Sequence, residues 1–168
     1  MLTGCSHHAV ETPSEVSPPR ITRQYSVEQF LGTIHLQGSS FSPDKSKILL
    51  TSDEKGIDNA FAVLSDGSGS VQLTDSKTDS FRVQEYFPHD ERFLFLADKG
   101  GDELDHLYVH ELDGGYTDLT PGSGHQARFL GWSHDGLSLF MSTNARDKRY
   151  FDLYEIEVAG YHRSIIYK

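Results

Sequence analysis

The sequence contains one cysteine, Cys5, among its 168 residues, so no disulfide can form within the chain and no cysteine-built zinc site is available. Positive charge is scarce. The 15 Lys and Arg face 25 Asp and Glu, a formal charge of -10, and a surface of that sign repels a phosphate backbone, so no nucleic-acid partner is expected. No apolar run is longer than Phe93 to Ala97, far short of the roughly 20 residues a membrane helix needs. No G-x-S-x-G is present either, the elbow from which α/β-hydrolases present a nucleophilic serine. What remains is ordinary for a globular domain: 36% apolar residues and, besides them, 15 Gly, enough to bury a core in a chain of this length.

The amino-terminal end differs from the rest. Leu2-Thr3-Gly4-Cys5 resembles the lipobox at which bacterial lipoproteins are cut and acylated, and Cys5 is then the expected lipidation site. A signal peptide also carries a basic segment and an apolar stretch of about 7–15 residues, whereas only Met1 precedes the box. The expectation is a truncated signal peptide on a periplasmic or cell-surface lipoprotein, touching the membrane only through its lipid anchor; a chance match would leave an exposed thiol. Between Ser6 and Pro19 lie three Pro, three Ser and two Glu, a composition that stays extended and solvated. Residues 1–24 thus read as a lipobox-like start and flexible linker.

Beyond residue 24 the chain repeats. Phe41-Ser42-Pro43-Asp44, Phe87-Pro88-His89-Asp90 and Trp132-Ser133-His134-Asp135 follow one another at steps of 46 and 45 residues. Leu73-Thr74 recurs as Leu119-Thr120 and the same step lands on Ile165-Ile166, while Asn59-Ala60-Phe61, His106-Leu107-Tyr108 and Asp152-Leu153-Tyr154 mark a further position in each unit. Within the units, short alternating or apolar runs are bounded by turn formers such as Pro88-His89-Asp90, Gly100-Gly101 and Asp113-Gly114-Gly115, which is the pattern of strands. Four antiparallel strands per unit of this length make a propeller blade. The fold class is therefore all-β: a partial β-propeller over 25–168, with four-stranded antiparallel blades at about 34–74, 81–120 and 126–168. Three blades form an open arc, since propellers typically close with about 4–8, and the chain reads as a fragment with bare outer flanks. Helix is limited to a turn or two after the capping box Ser26-Val27-Glu28-Gln29, ending at Gly32.

The motif residues Phe41, Pro43, Asp44, Phe87, Pro88, Asp90, Trp132, Ser133 and Asp135 are expected to be structural. Each aspartate should accept hydrogen bonds from backbone amides of its tight turn, and each preceding Phe or Trp should pack between blades.

The Ser-Pro-Asp blade motif, together with Asp118-Leu119-Thr120-Pro121-Gly122, Gly131-Trp132-Ser133-His134-Asp135-Gly136 and Thr143-Asn144-Ala145-Arg146-Asp147 through Tyr150-Phe151-Asp152-Leu153-Tyr154, resembles the TolB-like propeller and, most closely, the amino-terminal propeller of bacterial serine peptidases of the prolyl oligopeptidase family. That resemblance implies partners that this sequence does not supply: remaining blades, and a carboxy-terminal α/β-hydrolase domain whose Ser, Asp and His hydrolyse short peptides. No catalytic residue, metal or cofactor is carried over. The implied role is a substrate gate and part of a cavity wall. A periplasmic TolB-like propeller that binds proteins is the alternative, and a propeller lyase acting on sugars through metal-binding histidines a third.

Local patterns that invite catalysis read better as structure. Ser133, His134 and Asp135 are adjacent, so their side chains diverge, whereas a triad is a hydrogen-bonded relay. His106 and His110 would share a metal on a helix but lie about 13 Å apart on a strand. Asp98, Asp102, Glu103 and Asp105 lack a calcium-loop pattern. Of the basic cluster Arg146, Lys148 and Arg149, at least one should pair with Asp147 or Asp152.

Overall fold

The computed structural model describes residues 22–168. Cys5, His7-His8 and the start of the chain through residue 21 lie outside the described residues. Helix α1 (Val27–Leu31) opens on the capping box: Ser26 Oγ accepts from the Gln29 amide at 3.1 Å while Gln29 Oε1 accepts from the Ser26 amide at 3.0 Å. The Gly32 amide donates to the Glu28 carbonyl at 2.8 Å and ends it. All of α1 is solvent-exposed.

The twelve described strands make three antiparallel sheets, each ordered as the chain runs. Blade one comprises β1 (Leu36–Phe41), β2 (Lys47–Ser52), β3 (Asn59–Leu64) and β4 (Ser70–Gln72). Blade two comprises β5 (Arg82–Tyr86), β6 (Phe93–Ala97), β7 (His106–His110) and β8 (Tyr116–Asp118), and blade three β9 (Ala127–Trp132), β10 (Ser138–Asp147), β11 (Tyr150–Glu157) and β12 (Arg163–Tyr167). The innermost pair of every blade carries a register shift, between Gly38 and Ser40, Val83 and Tyr86, and Phe140 and Met141, which adds local twist.

Strand β6 shows why the middle blade holds the arc together. Successive side chains of a strand point to opposite faces, and Phe93, Leu94 and Phe95 are all buried. Phe93, Phe95 and Ala97 join Val83 and Tyr86 against Leu49 and Ala60 of blade one. Leu94, Leu107, Val109 and Leu119 join Phe87 against Ala127, Leu139, Met141 and Ile156 of blade three. Each outer blade has one such partner. Leu36, Phe41 and Val71 of blade one remain exposed, as do Leu130, Tyr150, Ile166 and Tyr167 of blade three.

The aromatic of the motif does not act alike in all three units. Phe87 and Trp132 meet between blades two and three, ring centroids 4.8 Å apart. Phe41, in contrast, is 58% exposed and does not pack between blades. Ser40 meets blade two instead, its Oγ accepting from the Tyr86 amide at 2.8 Å, and the neighbouring position on a strand projects to the other face.

Candidate functional site

At one end of the arc stand the motif turns. Asp44 Oδ1 accepts from the Ser46 amide at 3.0 Å and from Ser42 Oγ at 2.6 Å, and the Lys47 amide donates to Ser42 Oγ at 2.9 Å. These bonds, the Ser42 hydroxyl foremost, hold the Asp44 carboxyl down to about 2. Blade three repeats the arrangement: Asp135 Oδ1 takes the Ser133 hydroxyl at 2.6 Å and the Leu137 amide at 3.1 Å. In blade two Pro88 stands where the other units have serine, and Arg92 substitutes for the missing hydroxyl. Its amide donates to Asp90 Oδ1 at 2.9 Å, and its guanidinium forks over the carboxylate, with Nη2 2.7 Å from Oδ2; the pair lowers the Asp90 pKa and raises that of Arg92. The turns of blades two and three abut. His89 Nε2 lies 2.9 Å from the Asp135 carbonyl oxygen, and a Cβ on Gly136, at φ +70°, would stand 2.9 Å from Pro88 Cβ.

This geometry bears on Ser133-His134-Asp135. The Ser133 hydroxyl donates to Asp135 and accepts from the Ser138 amide at 2.9 Å, so its hydrogen bonds run to a turn and not to an imidazole. The carboxylate it meets is a base weakened by the turn's own hydrogen bonds, and a serine so held is not an activated nucleophile.

The opposite end carries the remaining polar clusters. His106 Nδ1 meets Asp118 Oδ2 at 3.0 Å, and its ring stacks on His125 at 4.8 Å. His110, at the other end of β7 and therefore on the side of the motif turns, stacks on Phe93 at 4.4 Å, and burial lowers its pKa. The two β7 histidines thus have separate neighbours. In the acidic loop the Glu103 amide donates to Asp98 and the Leu104 amide to Asp102, while Asp105 pairs with Arg82. Arg146 forks onto the buried Asp152 and Arg149 onto Asp147, so both expected carboxylates are taken. Among the described residues no three His, Cys, Asp or Glu side chains are placed to share a metal ion. Two small clefts open here, of about 210 Å³ beside His106 and Asp118 and about 220 Å³ beside Phe81 and Tyr116.

The Leu-Thr marks have a role that pattern reading missed. Thr74 Oγ1 accepts from the Ala60 amide at 2.8 Å, and Thr120 Oγ1 from the Leu107 amide at 3.1 Å. Each buried hydroxyl thereby closes its blade's outermost strand onto the one before it. The recurrence at one step was the available signal.

A cleft of about 380 Å³ lies between blades one and two. Ala62, Leu64, Val71 and Leu73 form one wall, Tyr86, Phe93, His110 and Leu112 the other, and Lys47 and Glu91 stand among the lining residues, paired at 2.5 Å. The corresponding position between blades two and three is filled. Tyr161, from the turn between β11 and β12, reaches blade two; its hydroxyl accepts from Arg92 Nη1 at 2.8 Å and donates to Glu111 Oε2 at 3.0 Å.

No family model matches this sequence. It is 29% identical over 132 residues to dipeptidyl aminopeptidase BIII of Pseudoxanthomonas mexicana, an alignment covering 76% of this chain and 19% of that protein. The chain therefore spans about a fifth of the length of that relative. Among solved structures, TolB from Agrobacterium tumefaciens superposes with a TM-score of 0.59 at 20% identity, over 76% of this chain and 44% of that one. A prolyl endopeptidase superposes with a TM-score of 0.61 at 10% identity, over 79% and 21%. At such identities the solved structures speak for the fold alone. Residues 34–168 thus form three blades with the β-propeller fold seen in those solved structures, and the sequence is similar to part of a dipeptidyl aminopeptidase.

Proposed function

We propose that this arc is the non-catalytic propeller part of a serine peptidase of the prolyl oligopeptidase family, acting as substrate gate and cavity wall for the hydrolysis of short peptides. The observation that carries the reading is the 132-residue similarity to a dipeptidyl aminopeptidase; the blades give the role its physical form. A sheet buried on both faces, as blade two is, makes a stiff wall, and a rigid ring of such walls excludes folded proteins by size while admitting extended peptides. The nucleophile, base and oxyanion donors would come from a hydrolase domain in the same polypeptide, and the outer flanks would be covered by its further blades. Acylation at Cys5 would tether the enzyme to a membrane of the cell envelope.

The test is an assay of the full-length protein that contains these blades. We expect hydrolysis of a chromogenic dipeptide, none of a folded protein, and cleavage of longer peptides once the propeller is deleted. The 168-residue chain alone should show no turnover, with or without Ser133. The second reading, a protein-binding propeller, draws on the comparable superposition on TolB; a full-length protein without hydrolase activity that retains a protein partner would establish it instead.

A further inference from the structure

We infer that the cleft between blades one and two is a seat for an aromatic side chain presented by an extended segment of another polypeptide. The inference stands apart from the proposed peptidase role. It rests on the way the molecule treats its own two seams.

In blade three the turn between β11 and β12 closes with the Glu157 amide on the His162 carbonyl. In blade two the turn between β7 and β8 closes with the Glu111 amide on the Gly115 carbonyl, one residue sooner. The additional residue of the longer turn is accommodated where Tyr161 sits at φ +56°, and its ring packs against the core shared by blades two and three. Blade two's turn, Asp113-Gly114-Gly115, has no ring to send into the seam with blade one, and its one side chain, the Asp113 carboxylate, folds back to accept from the Gly115 amide at 2.9 Å. The cleft of about 380 Å³ lies where such a ring would go, and it falls within the size range of ligand-binding clefts.

The wall positions correspond as well. Leu64 and Glu111 are the matching amides of their hairpin turns, and Val71 and Thr117 the matching centres of β4 and β8. Where Tyr161 touches Glu111, the open seat offers Leu64; beside it are Val71, 63% exposed, and the stacked rings of Phe93 and His110. Such a lining takes an aromatic ring by apolar burial and by contact with ring faces. The Lys47 and Glu91 pair adds one donor and one acceptor for a phenolic hydroxyl.

A polypeptide is the occupant because of what borders the cleft. Strand β4 is the last in its sheet, paired on one side with β3, and its other edge offers unpaired backbone groups. An extended segment can add to such an edge and send alternate side chains inward.

Methyl-detected NMR on the 168-residue chain tests this, with the blocked peptide acetyl-Ser-Thr-Tyr-Thr-Ser-amide as probe, its alanine counterpart, and N-acetyl-tyrosinamide. We expect saturable shifts of the Leu64, Val71, Leu73 and Leu112 methyls at a Kd on the order of 0.1–1 mM, with the alanine peptide and the free amide each about tenfold weaker or more. Gly69→Trp should fill the seat and abolish binding. A Cβ at Gly69 meets only Leu64 Cδ1, at 3.8 Å, so the fold should survive, with unmoved Leu94 and Leu107 methyls as the control. Val71→Asp should weaken binding by a different route, a charge placed in the apolar lining. Equal binding of the tyrosine and alanine peptides, equal binding of the free amide, no saturable shift, or undiminished binding in Gly69→Trp would each overturn the inference.

Discussion

The seams on either side of blade two are built from the same repeat and closed to different degrees. Between blades two and three, Phe87 lies against Trp132, Arg92 covers the Phe87 ring at 4.3 Å, and Tyr161 bridges Arg92 to Glu111. Burial pushes the Tyr161 hydroxyl up to about 12, so it remains a neutral donor across the physiological range. Between blades one and two the apolar contact is continuous where Leu49 and Ala60 pack with Val83 and Phe95, but beside it lies an open cleft with the Lys47 and Glu91 ion pair among its lining residues. The same sheet-on-sheet packing therefore tolerates two finishes. One inserted residue in a hairpin turn separates them.

The largest effect should come from the core that both finishes depend on. Leu107 is fully buried between blades two and three, so Leu107→Ala is expected to destabilise by about 2–5 kcal/mol in chemical denaturation. Leu64→Ala, at the rim of the open cleft and 39% exposed, should cost less than about 1 kcal/mol. Equal losses would mean that the open seam is as tightly filled as the closed one. Tyr161→Phe comes next. It leaves the ring in place and strips two hydrogen bonds, one of them to a guanidinium, for an expected loss of about 1–3 kcal/mol. The exposed Lys47 and Glu91 pair should show a coupling of about 0–1 kcal/mol in a double-mutant cycle.

Acid should then sharpen the difference. The Asp90 carboxyl is held below its ordinary value, chiefly by the Arg92 guanidinium, and Asp44 is held to about 2. The unfolded chain titrates these groups near pH 3.9, so it binds protons more tightly than the folded chain does. Their contribution is thus complete above about pH 4 and is lost as pH falls through the folded values. The thermal midpoint should fall steeply below about pH 4, and Asp90→Asn should flatten that fall. Asp90→Ala should cost on the order of 1 kcal/mol near neutral pH; unchanged stability together with a lost binding activity would show that the motif aspartate is not a turn residue.

The sequence made the blades legible because its marks are local. Phe87, Asp90 and Asp113-Gly114-Gly115 announce turns whose hydrogen bonds close within a few residues, and the unbroken apolar run of β6 announces two buried faces. What escaped notice depends on residues far apart. Arg92 meets a tyrosine 69 positions away, Ser40 rather than Phe41 meets blade two, through its hydroxyl, and the open cleft lies where one turn carries no ring. Patterns of residue type report on strands and turns, whereas the fit between blades is set by single insertions and by pairings that no period repeats.

The smallest expected effect concerns Trp132, whose indole Nε1 is buried without a hydrogen-bond partner. An unsatisfied buried donor carries a desolvation cost that its removal relieves. Trp132→Phe deletes that donor and retains an aromatic ring opposite Phe87 and Phe129, at the loss of some apolar contact and some volume. The two terms oppose each other, so stability should change by less than about 1 kcal/mol. Trp132→Ala, which keeps neither ring nor contact, should cost several times more. Denaturant melts of the two variants decide between the terms: a large loss in Trp132→Phe would mean that the indole N–H is engaged, by ordered water or by a neighbouring group, and that this corner of the closed seam is polar rather than dry.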